Sequence, residues 1–380
     1  MSALTKSKTR QRAQRAKVAQ FLYSGLGGHA SVAFSLIEGD SEGRWSNLLG
    51  FLGIERLLPD YRKRSESAGI PFATFAVREG RPWATWRPVY RWLKQVQPDA
   101  IICHGGPALP PALLYARHRR LPVLAVEHTS IPARRGVEML YTRLAMYLAD
   151  AVIMVTQELA NGLRAKLGRA YRNGKVAIIP SGINTDRFHP PSVGRTREQR
   201  MRIGMAGRLT AVKHHDHLIS VISELQQLRS DLHWTLSIAG DGEQRQRLET
   251  LADRLAPASV EFTGTLDEEA LASWYRGLDI YVHASKSEAL STAILQAMAS
   301  QLPVVASDVP GIAALLPPVA GILLKNGDTR AWAEAIAGLI DSKEHMAALG
   351  RNARDLCVRD FGHRQMHQAY DDLIRVYARR

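Results

Sequence analysis

Two cations, a carboxylate and the start of a helix give the strongest chemical signal in the sequence. Arg208 and Lys213 follow the apolar run 201–206. Glu288 stands just before a helical pattern that begins near Ser291. Two cations at a strand-to-helix crossing can hold a diphosphate from both sides, and the N–H groups and dipole of a helix start attract the same anion. Since a carboxylate accepts hydrogen bonds from hydroxyls, these residues predict a ligand with both a phosphate and a polyol, such as a nucleotide sugar.

The elements around Glu288 form a predicted strand–loop–helix–strand unit. The run 279–284 is apolar and rich in β-branched and aromatic residues, and 304–306 is a similar short run; both predict buried strands. In parallel sheets of this kind the ligand lies at the carboxyl ends of the strands. From this stretch alone, a structural loop with a surface glutamate is the simpler interpretation, so the prediction depends on the rest of the chain.

Two places in the first half meet the same positional rule. Residues 25–28 are glycine-rich and separate the predicted strand 18–23 from a helix, so they form either a tight turn or an opening that admits substrate. Their spacing is not the GxGxxG fingerprint, and NAD binding is therefore not expected. Glu127 and His128 end the predicted strand 121–127. A single histidine is usually structural, but its place at a strand end predicts a substrate contact for His128.

Apolar runs alternate with helical patterns along the chain, which predicts an α/β fold with two doubly wound parallel sheets. We expect a first domain over 17–190 and a second over 191–362, with a polar linker at its start. The segment 363–380 carries an apolar stripe and must pack against another element. Residues 1–16 are basic with few apolar anchors, which predicts a disordered tail. Further strands are expected near 47–52, 71–77, 99–104, 150–155, 175–180, 234–239 and 260–264.

The composition excludes several classes of protein. The chain has 380 residues, 46% of them hydrophobic, which is enough for two cores. Cys103 and Cys357 lie far apart, so a disulfide framework is not expected and a reducing compartment is. No apolar run reaches the length of a membrane span, and no secretory signal follows the basic start. The protein is therefore expected in the cytoplasm.

The positive charge is concentrated in the first half. Residues 1–195 hold 29 Lys and Arg against 13 Asp and Glu, whereas residues 196–380 hold 21 against 23. This asymmetry suggests that the first half faces a polyanion, either nucleic acid or an anionic membrane surface. Nucleic acid is not expected as a partner, because aromatic RNP-like strands, zinc-finger spacing and a basic zipper are missing.

An unusual aromatic segment supports the membrane alternative. Trp83, Trp86, Tyr90 and Leu93 share one predicted helical stripe with basic residues on its flanks. This pattern is typical of a membrane interface, and it predicts peripheral association with the cytoplasmic face of an inner membrane. Packing of an ordinary helix against the sheet remains the simpler interpretation.

A histidine-rich cluster invites a metal interpretation. His214, His215, Asp216 and His217 are consecutive, so their side chains point in different directions, and only His214 and His217 share a helix face. No metal site is therefore expected.

A series of motifs, in order from about residue 175 to 315, resembles the family-4 (group 1) nucleotide-sugar glycosyltransferases. The segment between that family's domains is similar to residues 179–188. In the first half the resemblance is weaker and rests on residues 25–28 and 127–130. The motifs of the second half are Gly207-Arg208-Leu209 with Lys213, Gly240-Asp241-Gly242, Phe262-Thr263-Gly264, residues 285–288, residues 296–299 and residues 303–311.

The resemblance implies a GT-B architecture, in which two Rossmann-like domains face each other across a cleft and the last helix crosses back to the first domain. It also implies retention of the anomeric configuration and no metal or other cofactor. Arg208 and Lys213 would hold the donor diphosphate, Glu288 would contact the transferred sugar, and His128 would touch that sugar from the acceptor side. Further substrate-binding residues would be Gly27 and Gly28 at the acceptor entrance, Gly240, Gly264 to Leu266 along the base, and the amides of Ala289, Leu290, Ser291 and Thr292 at the phosphate.

Two positions depart from the family pattern. Gln296 stands where a second glutamate is thought to bind ribose hydroxyls. Loss of that charge-assisted hydrogen bond is expected to lower donor affinity by about 1–2 kcal/mol. Ala289 replaces the usual glycine after Glu288, which restricts the loop.

Together these observations predict a retaining hexosyltransferase that uses a nucleotide-diphosphate sugar. Its acceptor would be a cell-envelope glycan, namely lipopolysaccharide, exopolysaccharide or a lipid-linked oligosaccharide. Cations and a helix start can stabilise the departing diphosphate without a metal. Two alternatives stay open: a basic protein that binds membrane or nucleic acid on the same scaffold, and a GT-B sugar-nucleotide epimerase. A glycosidase is not expected, because no pair of carboxylates at hydrolase spacing can be picked out.

Overall fold

The structure, a computed structural model, consists of two parallel β-sheets that are covered by helices on both faces. It describes residues 15–25, 27–130, 136–192 and 200–378. The basic tail predicted at the start of the chain lies outside these ranges except for its last two residues. The predicted polar linker also lies outside these ranges except for its first two residues. The domain boundaries therefore stay predictions.

The first sheet has seven strands in the order β3-β2-β1-β4-β5-β6-β7. All strands pair in parallel, as the βαβ alternation of the sequence predicts. Its strands are β1 Ala16–Tyr23, β2 Trp45–Gly53, β3 Phe72–Ala76, β4 Ala100–Cys103, β5 Val123–Glu127, β6 Ala151–Met154 and β7 Val176–Ile178. Its helices are α1 Gly28–Glu38, α2 Pro59–Ser67, α3 Trp86–Val96, α4 Leu109–Arg119, α5 Gly136–Leu148 and α6 Gln157–Leu167.

The second sheet has six strands in the order β10-β9-β8-β11-β12-β13. Its strands are β8 Arg200–Ala206, β9 His233–Ala239, β10 Val260–Gly264, β11 Ile280–His283, β12 Val304–Ser307 and β13 Gly321–Leu324. The short strand β13 is not expected from the sequence, because a four-residue run beside prolines and glycine carries little periodicity. The helices are α7 His215–Leu228, α8 Arg245–Leu255, α9 Glu268–Arg276, α10 Thr292–Ala299, α11 Pro310–Ala313, α12 Thr329–Asp341, α13 Lys343–Asp360 and α14 His363–Ala378.

Burial on both faces explains why the strands appear as continuous apolar runs. In β1, Ala19 and Phe21 belong to the hydrophobic cluster on one face of the sheet. Val18 belongs to the cluster on the opposite face. The last helix, α14, joins the Val18 side, where Met366 and Tyr370 are buried. The predicted return of this helix to the first half is therefore confirmed.

The aromatic segment differs from its prediction. Instead of one helix, residues 82–85 form a 3₁₀ turn that precedes α3. The predicted stripe is divided: Leu93 in α3 is fully buried, whereas Trp83 in the turn is 57% exposed and Trp86, the first residue of α3, is 38% exposed. The different period of the turn moves Trp83 away from the buried face of the helix. No helix within the described ranges combines the length and the apolar composition that a membrane span needs.

Candidate active site

The carboxyl ends of both sheets face a common cavity, which we call the central cleft. It has a volume of about 730 Å³ and is lined by residues of both halves. Arg208, Lys213 and Glu288 line it from the second sheet, and His128 lines it from the first. In each sheet the strand order reverses beside the first strand of its half, β1 or β8, and such a switch point is where open α/β sheets bind ligands.

Two loops packed backbone to backbone position Arg208. The N–H of Gly207 donates to the Ala239 carbonyl at 2.9 Å, and the N–H of Leu209 donates to the Asp241 carbonyl at 3.0 Å. Gly240 has a φ of +138°, and a Cβ there would lie 2.1 Å from the Gly207 carbonyl oxygen. Only glycine fits this position. Gly240 also lines the central cleft, so it shapes the loop that presents Arg208.

Lys213 and Glu288 form a largely buried ion pair. The Lys213 Nζ lies 2.5 Å from Glu288 Oε1. The same oxygen is 2.9 Å from His283 Nε2 and accepts a hydrogen bond from Ser285 Oγ at 2.8 Å. Burial alone would raise the pKa of Glu288, but the charge of Lys213 and the hydrogen bond from His283 outweigh it and hold this pKa well below its usual range. Glu288 is therefore a carboxylate, whose two oxygens can only accept hydrogen bonds.

His283 is a site residue that the sequence did not reveal. It is fully buried in β11, and its Nδ1 lies 3.1 Å from the Tyr281 hydroxyl. Burial lowers its pKa although Glu288 acts in the opposite direction. With Nε2 against a carboxylate, Nε2 carries the proton and Nδ1 accepts from Tyr281. The available signal was a histidine inside a buried apolar run, five residues before a glutamate.

The start of helix α10 lies at the central cleft. Ser291 is its N-cap, with its Oγ accepting from the Ile294 N–H at 3.4 Å. Leu290, Ser291 and Thr292 line the cleft. The side chain of Ala289 is only 7% exposed and packs into a hydrophobic cluster of the first half, so the predicted phosphate contact of this residue would come from its backbone N–H.

The predicted glycines fall into two groups. Gly27 and Gly28 line the cleft and face the second half closely. A Cβ on Gly27 would lie 3.6 Å from Arg208 Nη2, and one on Gly28 would lie 3.1 Å from Thr292 Oγ1. Gly264 is not among the lining residues.

Thr265 and Leu266, the two residues after Gly264, line the cleft instead. Gly264 has a φ of +73°, and its carbonyl accepts the Gly240 N–H at 2.8 Å. Its contribution is to hold two loops together.

Gln296 lies where the sequence places it, on α10 and in the lining of the cleft. Its side chain is nearly buried, and Oε1 is 3.2 Å from the Tyr275 hydroxyl. That hydroxyl also lies 2.9 Å from the Ala293 carbonyl oxygen. A polar side chain that accepts a hydrogen bond is therefore accommodated here.

Three histidines of the first half meet beside the cleft. His104 Nδ1 lies 3.0 Å from His128 Nε2, and His104 Nε2 lies 3.2 Å from Gln20 Oε1. The rings of His29 and His128 stack with centroids 4.6 Å apart. Burial, with a smaller contribution from the charge of Arg208, lowers the pKa of His29 to about 4. Burial likewise lowers the pKa of His104 to about 3, so both are neutral near pH 7.

The sequence missed His29 and His104. His104 follows β4 directly, so the strand-end rule that selected His128 applies to it equally. His29 stands at the start of α1, next to the glycine-rich loop.

The histidine-rich segment has a structural explanation. The rings of His214 and His217 stack at 5.3 Å, and His215 is buried in α7. Neither ring nitrogen of His215 has a hydrogen-bond partner in the described part of the chain. Within the same residues, no group of three or more His, Cys, Asp or Glu could hold a metal ion.

A cluster of charges joins the two halves at one end of the cleft. Glu268, at the start of α9, lies 2.6 Å from Arg64 Nη1 and 2.7 Å from Arg187 Nη1. Arg187 also lies 2.9 Å from Glu38. We call Glu38, Arg64, Arg187 and Glu268 the interdomain ion cluster. It ties α1 and α2 of the first half to α9 of the second.

The fold is the GT-B fold of the glycosyltransferases. The solved structure of Anabaena Alr3699/HepE in complex with UDP-glucose matches with a TM-score of 0.80 at 20% identity, covering 95% of this chain and 100% of that one. Sucrose-phosphate synthase from Thermosynechococcus elongatus matches with a TM-score of 0.77 at 18% identity, covering 95% and 98%. The GT-B architecture expected from the sequence is confirmed.

Family models identify the two halves separately. Residues 54–187 match the model of Glycosyltransferase Family 4, and residues 200–342 match that of Glycosyl transferases group 1. The chain belongs to this group 1, family-4 glycosyltransferase family, in agreement with the motifs of its second half.

Curated relatives share the family but not a single activity. The D-inositol 3-phosphate glycosyltransferase 2 of Catenulispora acidiphila is 32% identical over 229 residues, which is 56% of this chain and 52% of the relative. The chain spans about half the length of this relative and of two other curated relatives. A GDP-mannose-dependent alpha-mannosyltransferase of Mycobacterium tuberculosis is 28% identical over 310 residues, 73% of this chain and 76% of the relative.

Proposed function

We propose that the protein is a retaining hexosyltransferase that moves a hexose from a nucleotide-diphosphate sugar to a cell-envelope glycan acceptor. The observation that carries this proposal is the convergence of Arg208, Lys213, Glu288 and His128 on the central cleft. Similar proteins support the donor class, since one solved neighbour is in complex with UDP-glucose and one relative is GDP-mannose-dependent.

Arg208, Lys213 and the N–H groups at the start of α10 bind the donor diphosphate. During transfer, the bond between the sugar C1 and the phosphate oxygen breaks, and a bond from C1 to the acceptor hydroxyl oxygen forms. The hydroxyl proton leaves with the nucleoside diphosphate. Because negative charge grows on the departing diphosphate, preorganised cations and N–H groups stabilise the transition state more than the ground state. This stabilisation needs no metal ion, so activity is expected to survive EDTA.

Glu288 and His128 orient the hexose from opposite sides. Lys213, His283 and Ser285 all contact Oε1 of Glu288, so Oε2 is the oxygen that accepts hydrogen bonds from sugar hydroxyls. His128 approaches from the first half, where the contact with His104 holds its ring. The sugar thereby lies between its phosphate and the acceptor.

A donor panel tests the proposal. We expect one of the UDP-, GDP- or ADP-hexoses to raise the Tm, and Arg208→Ala and Lys213→Ala each to lower transfer by about 100-fold or more. Arg254→Ala is a matched control, since Arg254 is exposed on α8 and does not line the cleft. NMR of the product should show the donor's anomeric configuration.

Each alternative gives a different result in the same experiments. A Tm that responds to a polyanion and to no nucleotide sugar would favour a basic binding protein. Epimerised donor formed without an acceptor would favour an epimerase. Full activity in both Arg208→Ala and Lys213→Ala would refute the assignment of the diphosphate site.

We also propose peripheral association with an anionic membrane, through the exposed Trp83 and Trp86 beside Arg87 and Arg91. Tryptophan side chains exposed to this degree and flanked by cations suit the headgroup region. Flotation with anionic liposomes should carry the wild type upward, and the Trp83→Ala/Trp86→Ala double variant should remain below. Equal flotation of the two proteins would exclude this surface.

A further inference from the structure

A second cavity lies in the first half, next to the central cleft. We call it the first-sheet cavity; it has a volume of about 370 Å³. It extends between the carboxyl ends of β1, β4 and β5 and helix α5. Tyr23, His29 and His128 line both this cavity and the central cleft. The two spaces therefore adjoin at the histidine that we place beside the transferred sugar.

The walls of the first-sheet cavity are mainly apolar. They include buried side chains of the sheet and its helices, namely Phe21, Leu52, Leu109, Ala125 and Ala145. Among the described lining residues there is no lysine or arginine, and the charged ones are Glu127 and Glu138. The central cleft differs sharply, because Arg64, Arg208 and Lys213 line it.

The outer mouth of the cavity is apolar as well. Ile54 and Val137 line it and are 64% and 49% exposed. Leu140, one helical turn after Val137 on α5, is 62% exposed. Since neighbouring residues on one helix face extend the apolar surface, a chain longer than the cavity would still lie on apolar side chains as it leaves.

We infer that the acceptor carries an apolar aglycone, a hydrocarbon chain, which occupies the first-sheet cavity while its hydroxyl reaches His128. This inference rests on the proposed function and specifies its acceptor. An anionic head such as an inositol phosphate is disfavoured in the cavity, because its walls are mainly apolar and burying a charge against apolar walls costs free energy. A hydrocarbon chain gains affinity with each buried methylene.

Competition with a neutral apolar fluorophore tests the inference. N-phenyl-1-naphthylamine bound to the protein would be titrated with methyl, butyl, hexyl and octyl glucosides, with the longer-chain glucosides kept below their micellar concentrations. We expect the inhibition constant to fall roughly tenfold for every two methylenes added. Inositol 1-phosphate should not compete. A flat series, or displacement by inositol 1-phosphate, overturns the inference.

Variants at the mouth locate the binding site. Ile54→Asp and Val137→Asp place charge where the chain passes and should weaken octyl glucoside binding at least tenfold, with little risk to folding because both side chains are exposed. Leu114→Asp is the matched control, since Leu114 is 53% exposed on α4 and does not line the cavity. Equal weakening in all three variants, or in none, contradicts this placement.

The Tm response to nucleotide hexoses separates this inference from the proposed function. If a nucleotide hexose binds but the inhibition constants of the alkyl glucosides do not change with chain length, only the inference of an apolar acceptor is wrong. If no nucleotide hexose binds, the proposed function fails and the inference fails with it, even where the fluorophore is displaced.

Discussion

At the scale of single residues, the candidate site contains opposite charges that compensate each other where solvent is largely excluded. Lys213 and Glu288 are largely buried, with side chains 21% and 12% exposed. Removing one partner of such a pair leaves a charge without compensation, which costs more than the pair itself contributes. The pair therefore keeps Glu288 ionised and fixes its position beside the proposed diphosphate site.

Replacing Lys213 tests how much the ion pair contributes to folding stability. We expect Lys213→Met to lower the free energy of unfolding at pH 7 by about 3 kcal/mol, measured by urea denaturation. The Lys213→Met/Glu288→Gln double variant should recover most of the loss, because no unpaired charge then remains. A single variant as stable as the wild type would show that the pair does not hold Glu288.

Gln296 offers a gain-of-binding prediction. A glutamate there would still accept the hydrogen bond of the Tyr275 hydroxyl and would add a charge-assisted bond to a ribose hydroxyl. We expect Gln296→Glu to lower the Kd of the preferred nucleotide hexose by roughly 5- to 30-fold, the equivalent of about 1–2 kcal/mol, in calorimetric titration. Gln246→Glu, on the exposed side of α8, should leave the Kd unchanged. An unchanged Kd in Gln296→Glu would remove the ribose role.

At the scale of elements, the loops that follow the strands do most of the positioning. The loops after β8 and β9 are joined by backbone hydrogen bonds, and the loop before α10 ends in the Ser291 cap. Backbone contacts of this kind leave no room for a Cβ at Gly240. Arg208 therefore owes its place to a neighbouring loop more than 30 residues away in the sequence.

Glycine substitutions test this constraint. Gly240→Ala introduces both strain at φ +138° and a Cβ 2.1 Å from the Gly207 carbonyl oxygen, so we expect a loss of about 2–4 kcal/mol in unfolding free energy. Gly338→Ala is the control: Gly338 lies within α12 and has nothing within 4 Å of its Cβ position. That variant should gain roughly 0.5–1 kcal/mol. Equal stabilities would contradict the close approach of the two loops.

At the scale of the whole molecule, charged side chains join the two halves, and each half also contains a buried neutral histidine. Ser31 Oγ donates to Glu268 Oε1 across the cleft at 3.2 Å, next to the interdomain ion cluster. Burial raises the pKa of Glu268, although Arg64 and Arg187 act in the opposite direction. The cleft therefore depends on a carboxylate that is shared by two arginines.

Acid should destabilise both halves. Burial lowers the pKa of His104 in the first half and of His215 in the second to about 3, whereas a histidine in the unfolded chain titrates near 6.5. Below pH 6.5 the unfolded chain then binds more protons than the folded one, so the free energy of unfolding falls as the pH falls. We expect a loss of several kcal/mol between pH 7.5 and pH 4.5 in urea denaturation.

His215→Leu tests the source of this loss. His215 is 1% exposed and its ring nitrogens lack hydrogen-bond partners among the described residues, so leucine removes a titrating group without breaking a hydrogen bond. The variant should lose less stability than the wild type between pH 7.5 and pH 4.5. An identical loss would mean that His215 does not remain neutral in the folded protein.

Much of the fold and part of the site were predictable because they depend on local pattern. Burial on both sheet faces makes strands such as β5 and β11 continuous apolar runs, and a helix start near Ser291 follows from its periodicity. The strand-end rule selected His128 and Arg208 for the same reason. These features depend on neighbours within a few residues, which the sequence by itself determines.

Only the tertiary structure decided which side chains meet across the cleft. Lys213 and Glu288 are 75 residues apart in the chain, yet they form one ion pair. Ala289 packs into the cluster of the opposite half, and Trp83 lies in a 3₁₀ turn outside the helix that buries Leu93. Periodicity tells which face of an element is apolar but not which surface it packs against, because that choice depends on the shapes and charges of distant elements.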